Sequence, residues 1–149
     1  MFFLFDAAYK KTIVFPIFSL WAVSVGICAG EVRTPDFIAD VEIVSADGVI
    51  NLIEQTDEVI IVDSRISGDR KLGYLESSVS LPDSETSCSS LAKIIPDKMH
   101  PALFYCNGVK CGRSAIAIKV AKKCGYKKLY WFRGGFEEWL EKGFPFLKK

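Results

Sequence analysis

Short apolar runs separated by helical patterns are the feature that most constrains the fold of this chain. Four such runs lie at residues 41–44, 59–62, 103–105 and 129–132, and a shorter fifth strand is expected at 79–81. Apolar runs without alternating polar positions are typical of parallel strands that are buried on both faces of a sheet. Parallel strands also need a crossover connection, which a helix usually provides. We therefore predict an α/β domain with a mostly parallel central sheet of about five strands and helices on both faces.

Helical patterns fill most of the intervals between these strands. They lie at residues 48–55, 84–95 and 113–124, and a last one follows Gly134 and Gly135 and ends at Gly143. Asp47 is expected to cap the first helix, because a carboxylate can accept hydrogen bonds from the free N–H groups there. Phe136, Trp139 and Leu140 form one apolar stripe, which we expect to face the core. The stretch 66–82 shows no helical pattern and is predicted to be loop around its short strand.

Residues 1–30 differ in composition from the rest of the chain. Two adjacent lysines are followed by residues 12–30, which carry no charge and end in small side chains. This layout is typical of a secretory signal peptide, so we expect export to the periplasm or another extracytoplasmic compartment, with cleavage after Ala29 or Gly30. Two alternatives stay open. Residues 12–30 approach the ~20 apolar residues that span a bilayer and could form an uncleaved anchor, and Cys28 could carry a lipid.

Charge and metal-ligand content exclude several classes of function. Residues 31–40 are a polar lead-in to a domain that we place at 41–149. The chain has 19 basic and 18 acidic residues, so a basic nucleic-acid-binding stripe is not expected. The only histidine, His100, has no cysteine near it in sequence, and no C-x-x-C pair occurs, which argues against zinc. We expect no metal, no cofactor and no nucleic-acid partner. We also expect a monomer that contacts a membrane only through an uncleaved 12–30 segment.

Cys106 stands where a predicted strand ends and a loop begins. Ligands of parallel α/β sheets bind beyond the carboxyl ends of the strands, so this position favours a reactive thiol. The loop ahead of the next helix offers backbone N–H groups and a helix N-terminus, which both favour an anion. Lys110 and Arg113 add positive charge, which is expected to lower the pKa of the Cys106 thiol. The candidate substrate-binding residues are Asn107, Gly108, Val109, Lys110, Cys111, Gly112 and Arg113.

The cysteines also allow other interpretations. Cys106 could be a buried apolar residue, which is the commonest role of a free cysteine. Cys111 could pack beneath the loop, or it could be a resolving thiol that closes a disulfide with Cys106. Cys88 and Cys124 are expected to be structural, because they lie on predicted helices. Sequence alone does not choose among the three pairings that four cysteines permit.

Four motifs occur in the order that one known family shows. Asp63-Ser64-Arg65 follows the second strand as an Asp-x-Arg element, and residues 73–82 follow the frame Gly-His-Ile-x-Gly-Ala-x-x-Ile-Pro, with Tyr74 at the His position and Ser77 at the second Gly. The other two are the strand end Phe104-Tyr105-Cys106 and the closing stretch 130–145, which contains Gly134-Gly135, Trp139 and Gly143-Phe144-Pro145.

On these motifs the region 41–145 resembles a single rhodanese domain. The resemblance implies the rhodanese-like α/β fold, with Cys106 as the catalytic residue and Asp63, Arg65 and Ser114 in support. For Asp63 and Arg65 we favour an ion pair that ties loops together.

The loop after Cys106 departs from the common pattern. Many single-domain rhodaneses have Cys-x-x-Gly-x-Arg-Ser, and here the distance to Ser114 is two residues longer. The loop resembles the Cys-Asn-Gly-x-x-Cys-x-x-Ser pattern of exported rhodaneses, which Asn107, Gly108, Cys111 and Ser114 match. Related phosphatases use Cys-x5-Arg, and the glycine at the arginine position here disfavours that activity.

The resemblance implies a sulfurtransferase reaction. A small anionic, thiosulfate-type donor would pass its sulfane sulfur to Cys106 as a persulfide, and a thiol or cyanide acceptor would then remove it. Two alternatives stay open: a thiol–disulfide redox protein that uses Cys106 and Cys111, and a rhodanese-fold binding module without catalysis.

Overall fold

The computed structural model of the protein describes residues 34–56 and 58–148, which form an α/β domain. Its strands are β1 (Glu42–Val44), β2 (Ile60–Asp63), β3 (Val79–Ser80), β4 (Ala102–Tyr105) and β5 (Leu129–Phe132). Its helices are α1 (Ala46–Gln55), α2 (Ser67–Arg70), α3 (Cys88–Ile94), α4 (Arg113–Lys123) and α5 (Gly135–Glu141), with a single 3-10 turn at Asp83–Glu85. No helix within this part of the chain is long and apolar enough to cross a membrane. The predicted export segment, residues 1–30, lies outside the described residues.

The five strands form one parallel sheet in the order β1-β5-β4-β2-β3. The predicted α/β architecture with a parallel sheet is therefore confirmed. Strand β4 lies at the centre, and all four of its residues are buried. At the carboxyl ends of the strands, Tyr105 of β4 is in register with Asp63 of β2 and Phe132 of β5. The residues that follow these three ends, including Cys106, therefore meet at one edge of the sheet.

Two apolar clusters, one on each face of the sheet, form the core. On one face, Phe104 and Trp131 pack with Ile118 of α4. On the other face, Leu103 and Phe132 belong to the cluster that contains α1 and α5 side chains. Successive residues of a strand point to opposite faces, so the neighbours Leu103 and Phe104 belong to different clusters. The continuous apolar runs seen in the sequence are thus strands that bury both faces.

Several helix predictions need correction. Helix α1 is capped by Ser45 and not by Asp47, since the Ser45 hydroxyl accepts from the Gly48 N–H at 3.2 Å. Helix α2 occupies part of the stretch predicted to be loop, and its single turn is too short to show an apolar period. Helix α3 begins at residue 88 and not at 84, because Ser87 forms a capping box with Ser90. In α5, Leu140 is 44% exposed, because it faces an open cleft.

A disulfide joins Cys88 at the start of α3 to Cys124 at the end of α4. The two Cα atoms are 5.4 Å apart, and the cysteines are separated by 36 residues in sequence. The expectation that both cysteines are structural is confirmed, and their pairing leaves Cys106 and Cys111 as free thiols. The disulfide ties together two helices that cover the same face of the sheet.

Candidate active site

Cys106 follows the last residue of β4, and its side chain is completely buried. Its Sγ lies 2.9 Å from the carbonyl oxygen of Cys111, to which the thiol donates, and 3.1 Å from the hydroxyl of Ser114 at the start of α4. The loop therefore folds back over Cys106, so that its C-terminal part and the first turn of α4 contact the same sulfur. The predicted position of Cys106, between a strand end and a helix start, is confirmed.

The hydroxyl of Ser114 connects Cys106 to Trp131 in the neighbouring strand β5. The indole Nε1 of Trp131 donates to Ser114 Oγ at 2.9 Å, and an indole N–H can only donate. The serine proton is therefore free to point to the Cys106 sulfur, where it would stabilise a thiolate. Sequence reasoning missed Trp131. Its place in the strand that leads to the Gly-Gly pair was the available signal.

The two free thiols lie close enough to affect each other's titration. The hydrogen bond to Cys111 and burial raise the pKa of Cys106 well above its ordinary range, against the effect of Ser114. The same hydrogen bond lowers the pKa of Cys111 to about 6, against burial and with help from the backbone N–H groups of Arg113 and Asn107. The predicted lowering of the Cys106 pKa is therefore wrong for this arrangement. Burial and the contact with Cys111 therefore favour the protonated form of Cys106, whereas the backbone N–H groups of the loop favour the thiolate form of Cys111.

The glycines of the loop have different roles. A Cβ on buried Gly108 would lie 2.0 Å from Glu137 Oε2, so a larger residue here would displace the Glu137 carboxylate. The Gly108 carbonyl then accepts from the Cys111 N–H at 2.9 Å, which closes the turn. Gly112 has ordinary helical backbone angles and precedes α4. Val109 and Lys110 are exposed at the tip of the loop.

The charge of Arg113 is directed to α2 instead of into the loop. Its guanidinium donates to Asp69 Oδ2 at 2.8 Å and lies 3.9 Å from Asp83 Oδ1. The side-chain amide of Asn107 donates to the same Asp69 oxygen at 2.9 Å. The predicted role of Arg113 as an anion attractor therefore needs correction, because a carboxylate already compensates it. Asp69 was missed because it lies in the stretch that was predicted to be loop.

Asp63 is the centre of a buried network at the end of β2. Its two oxygens accept from Arg65 N (3.1 Å), Nε (2.9 Å) and NH2 (2.7 Å), from Arg70 NH1 (2.8 Å) and from the Tyr105 hydroxyl (2.7 Å). Burial raises the pKa of Asp63, but the hydrogen bonds and charge of Arg65 outweigh it, so the pKa lies below its ordinary value. The predicted ion pair between Asp63 and Arg65 is confirmed. The network also binds Arg70 to Ser78 and so fixes α2.

The comparison with protein families agrees with this geometry. The model of the Rhodanese-like domain matches residues 45–142, about two thirds of the chain. The chain belongs to the rhodanese-like family. A search of curated proteins found no match.

Solved rhodanese-like structures share the fold. A rhodanese-related protein of Thermoplasma volcanium has a TM-score of 0.58 at 21% identity, over 72% of this chain and 99% of that one. The single-domain sulfurtransferase RDL2 of Saccharomyces cerevisiae has a TM-score of 0.57 at 24% identity, over 69% and 91%. A thiosulfate sulfurtransferase of Pseudomonas aeruginosa has a TM-score of 0.62 at 18% identity, over 72% of this chain and 20% of that one. At these identities the similarity shows the fold alone.

The Gly-Gly element of the rhodanese-like domain has a clear physical role here. The N–H groups of Phe136 and Glu137, in the first turn of α5, donate to the carbonyls of Cys106 (2.9 Å) and Asn107 (2.7 Å). Gly135 has φ +59°, and a Cβ there would lie 2.3 Å from the Cys106 carbonyl oxygen. Only glycine therefore lets α5 approach closely enough to hold the start of the loop.

An open cleft lies beside the loop. It has a volume of about 240 Å³. Its lining residues are Arg65, Asp69, Leu72, Asn107, Phe136, Glu137 and Leu140. The cleft combines apolar and charged side chains, and it borders the residue that follows the buried thiol. Within residues 34–56 and 58–148, no group of His, Cys, Asp and Glu side chains is arranged to hold a metal ion.

Proposed function

We propose that the protein is a sulfurtransferase that moves sulfane sulfur from a small anionic donor of the thiosulfate type to a thiol or cyanide, through a persulfide on Cys106. The observation that carries this proposal is the position of Cys106 in a rhodanese-like fold. Its sulfur lies just beyond the carboxyl end of the central strand, beside the first turn of α4, and accepts a hydrogen bond from Ser114. Ligands of parallel α/β sheets bind at such strand ends.

The first step needs a thiolate at Cys106, and Cys111 can supply the base. The Cys111 thiolate takes the proton of Cys106, and the Cys106 sulfur then attacks the outer sulfur of thiosulfate. The bond between the two donor sulfurs breaks, sulfite leaves with the electron pair, and the outer sulfur stays on Cys106 as a persulfide. Ser114 stabilises the negative charge by donating from its hydroxyl and its backbone N–H. Because the thiol is completely buried, the 107–112 loop has to shift to admit the donor.

In the second step an acceptor attacks the outer sulfur of the persulfide. Cyanide would leave as thiocyanate, and a thiolate would leave as its own persulfide. Cys106 returns to its thiolate form, and no electrons are exchanged with an external reagent. The reaction is therefore covalent catalysis in two displacement steps.

The test is formation of thiocyanate from thiosulfate and cyanide by the purified protein. We expect Cys106→Ser to abolish turnover. The double variant Cys88→Ser/Cys124→Ser, which removes the other cysteine pair far from the loop, should retain it. Turnover that survives Cys106→Ser would contradict the proposal, as would absence of turnover in a correctly folded wild-type protein.

We also propose that residues 1–30 direct export to an extracytoplasmic compartment. The support is the uncharged run at 12–30 and the Cys88–Cys124 disulfide, since disulfides persist mainly in oxidising compartments. The mass of the chain isolated from a periplasmic fraction tests this. A chain shortened by about thirty residues supports cleavage, and a full-length chain in the membrane fraction supports the anchor instead.

A further inference from the structure

Cys111 is the side chain best placed to react with anything bound to Cys106. The Cys106 sulfur contacts the Cys111 carbonyl oxygen at 2.9 Å, and the two thiols are near enough to shift each other's pKa. Cys106 is completely buried, whereas Cys111 is only partly buried. An external acceptor must therefore pass the loop to reach Cys106, while the backbone of Cys111 is already in contact with its sulfur.

The sulfur of Cys111 also lies near donors that favour negative charge. The backbone N–H groups of Asn107 and Arg113 lower the pKa of its thiol. The outer sulfur of a Cys106 persulfide would need the same donors, because it also carries negative charge. Formation of the persulfide therefore brings three sulfur atoms into one small pocket, with Cys111 beside the new S–S bond.

We propose that Cys111 is an internal acceptor that resolves the Cys106 persulfide into a Cys106–Cys111 disulfide and releases the sulfane sulfur as hydrosulfide. The inference rests on the proposed sulfurtransferase function and names the fate of the sulfur at that site. When no cyanide or thiol reaches the persulfide first, the product is hydrosulfide, and a thiol reductant then completes the cycle. An external thiol therefore restores the protein by reducing a disulfide.

The atoms and electrons of this step balance. The Sγ of Cys111 attacks the Sγ of Cys106 and forms the disulfide bond. The bond from Cys106 Sγ to the outer sulfur breaks, and the outer sulfur leaves with the electron pair and the proton of Cys111 as hydrosulfide. Two cysteine sulfurs are oxidised and one sulfane sulfur is reduced, so the step needs no external oxidant. The backbone N–H groups of Arg113 and Asn107, which lower the pKa of Cys111, favour the thiolate that attacks.

The experiment follows the full chain through one turnover without cyanide or free thiol. The protein is isolated with the Cys88–Cys124 disulfide intact and the loop thiols reduced, and it is mixed with one equivalent of thiosulfate. Sulfite and hydrosulfide are quantified, and the alkylated protein is analysed by intact and peptide mass. We expect about one equivalent of each product, a loss of two hydrogens in mass, and a peptide that links Cys106 to Cys111.

Variants separate this inference from the proposed function. Cys111→Ser should release sulfite more slowly, because it lacks the Cys111 base, but it should keep one added sulfur atom on Cys106 and release no hydrosulfide. The Cys88→Ser/Cys124→Ser variant should behave as wild type. Wild-type protein that keeps the added sulfur and forms no loop disulfide would overturn the inference and leave the sulfurtransferase proposal standing. Absence of sulfite release from wild type would overturn both. Because the wild-type measurement decides the question by itself, poor folding of Cys111→Ser would not obscure it.

Discussion

Replacing Asp63 with asparagine would remove the negative charge that two buried arginines share. Asp63 is completely buried, Arg65 is 1% exposed and Arg70 is 9% exposed. Loss of one partner from a buried ion pair costs about 3–5 kcal/mol, because an uncompensated charge stays in the interior. Here the carboxylate accepts five hydrogen bonds, so we expect the upper half of that range. Domains of this size have a free energy of unfolding of about 5–15 kcal/mol.

Urea unfolding measured by tryptophan fluorescence and circular dichroism tests this prediction. The midpoint should fall while the slope stays unchanged, and the melting temperature should fall by roughly 12–20 °C. The matched control is Asp36→Asn. Asp36 also pairs with an arginine, Arg133, at 3.0 Å, but it is 95% exposed, so its loss should cost less than about 1 kcal/mol. An Asp63→Asn variant that unfolds within about 1 kcal/mol of the Asp36→Asn variant would refute the reasoning.

The same network predicts how the stability of the fold changes with pH. Burial raises the pKa of Asp63 and the Arg65 contacts lower it by more, so the folded-state pKa lies below the unfolded value of about 3.9. The contribution of Asp63 to stability is therefore full above that value and is lost as the pH falls through the folded-state pKa. The stability difference between wild type and Asp63→Asn should shrink on acidification and stay constant above about pH 6.

Two further predictions concern the loop and the disulfide. Ser114→Ala removes a hydrogen bond to the negatively charged Cys106 sulfur of the reacting enzyme, which is worth about 1.5–3 kcal/mol. Thiocyanate formation should therefore slow by roughly 10–100-fold at neutral pH. An unchanged rate would contradict the role of Ser114. Cys88→Ser/Cys124→Ser opens a loop of 36 residues and should lower the free energy of unfolding by about 3–4 kcal/mol. Thermal unfolding that matches wild type would count against that estimate.

Local patterns in the sequence were sufficient for the fold. The apolar runs at β2, β4 and β5 are strands because residues without polar alternation need burial on both faces, and the helices between them require parallel pairing. The position of Cys106 followed from the same pattern, since a strand end before a helix start is a local feature. The ion pair of Asp63 and Arg65 was also predictable, because its members are two residues apart.

Contacts between distant residues were not predictable from these patterns. Asp69 meets Arg113 across 44 residues, and Trp131 meets Ser114 across 17. Neither pair leaves a periodic pattern in the sequence, because each contact depends on how separate helices and strands pack together. The one-turn helix α2 was missed for a related reason: the buried network of Asp63 holds it, and its own sequence shows no helical period.

By itself, the sequence determined an α/β rhodanese-like domain with a cysteine at the end of its central strand, because apolar periodicity and motif order are properties of the chain. Only the tertiary structure decided where the loop charges point and in which direction each thiol pKa shifts. Arg113 binds Asp69, and backbone N–H groups of the loop lower the pKa of Cys111. These shifts depend on burial and on donors that come from separate elements, so the pKa of Cys106 is raised and that of Cys111 is lowered.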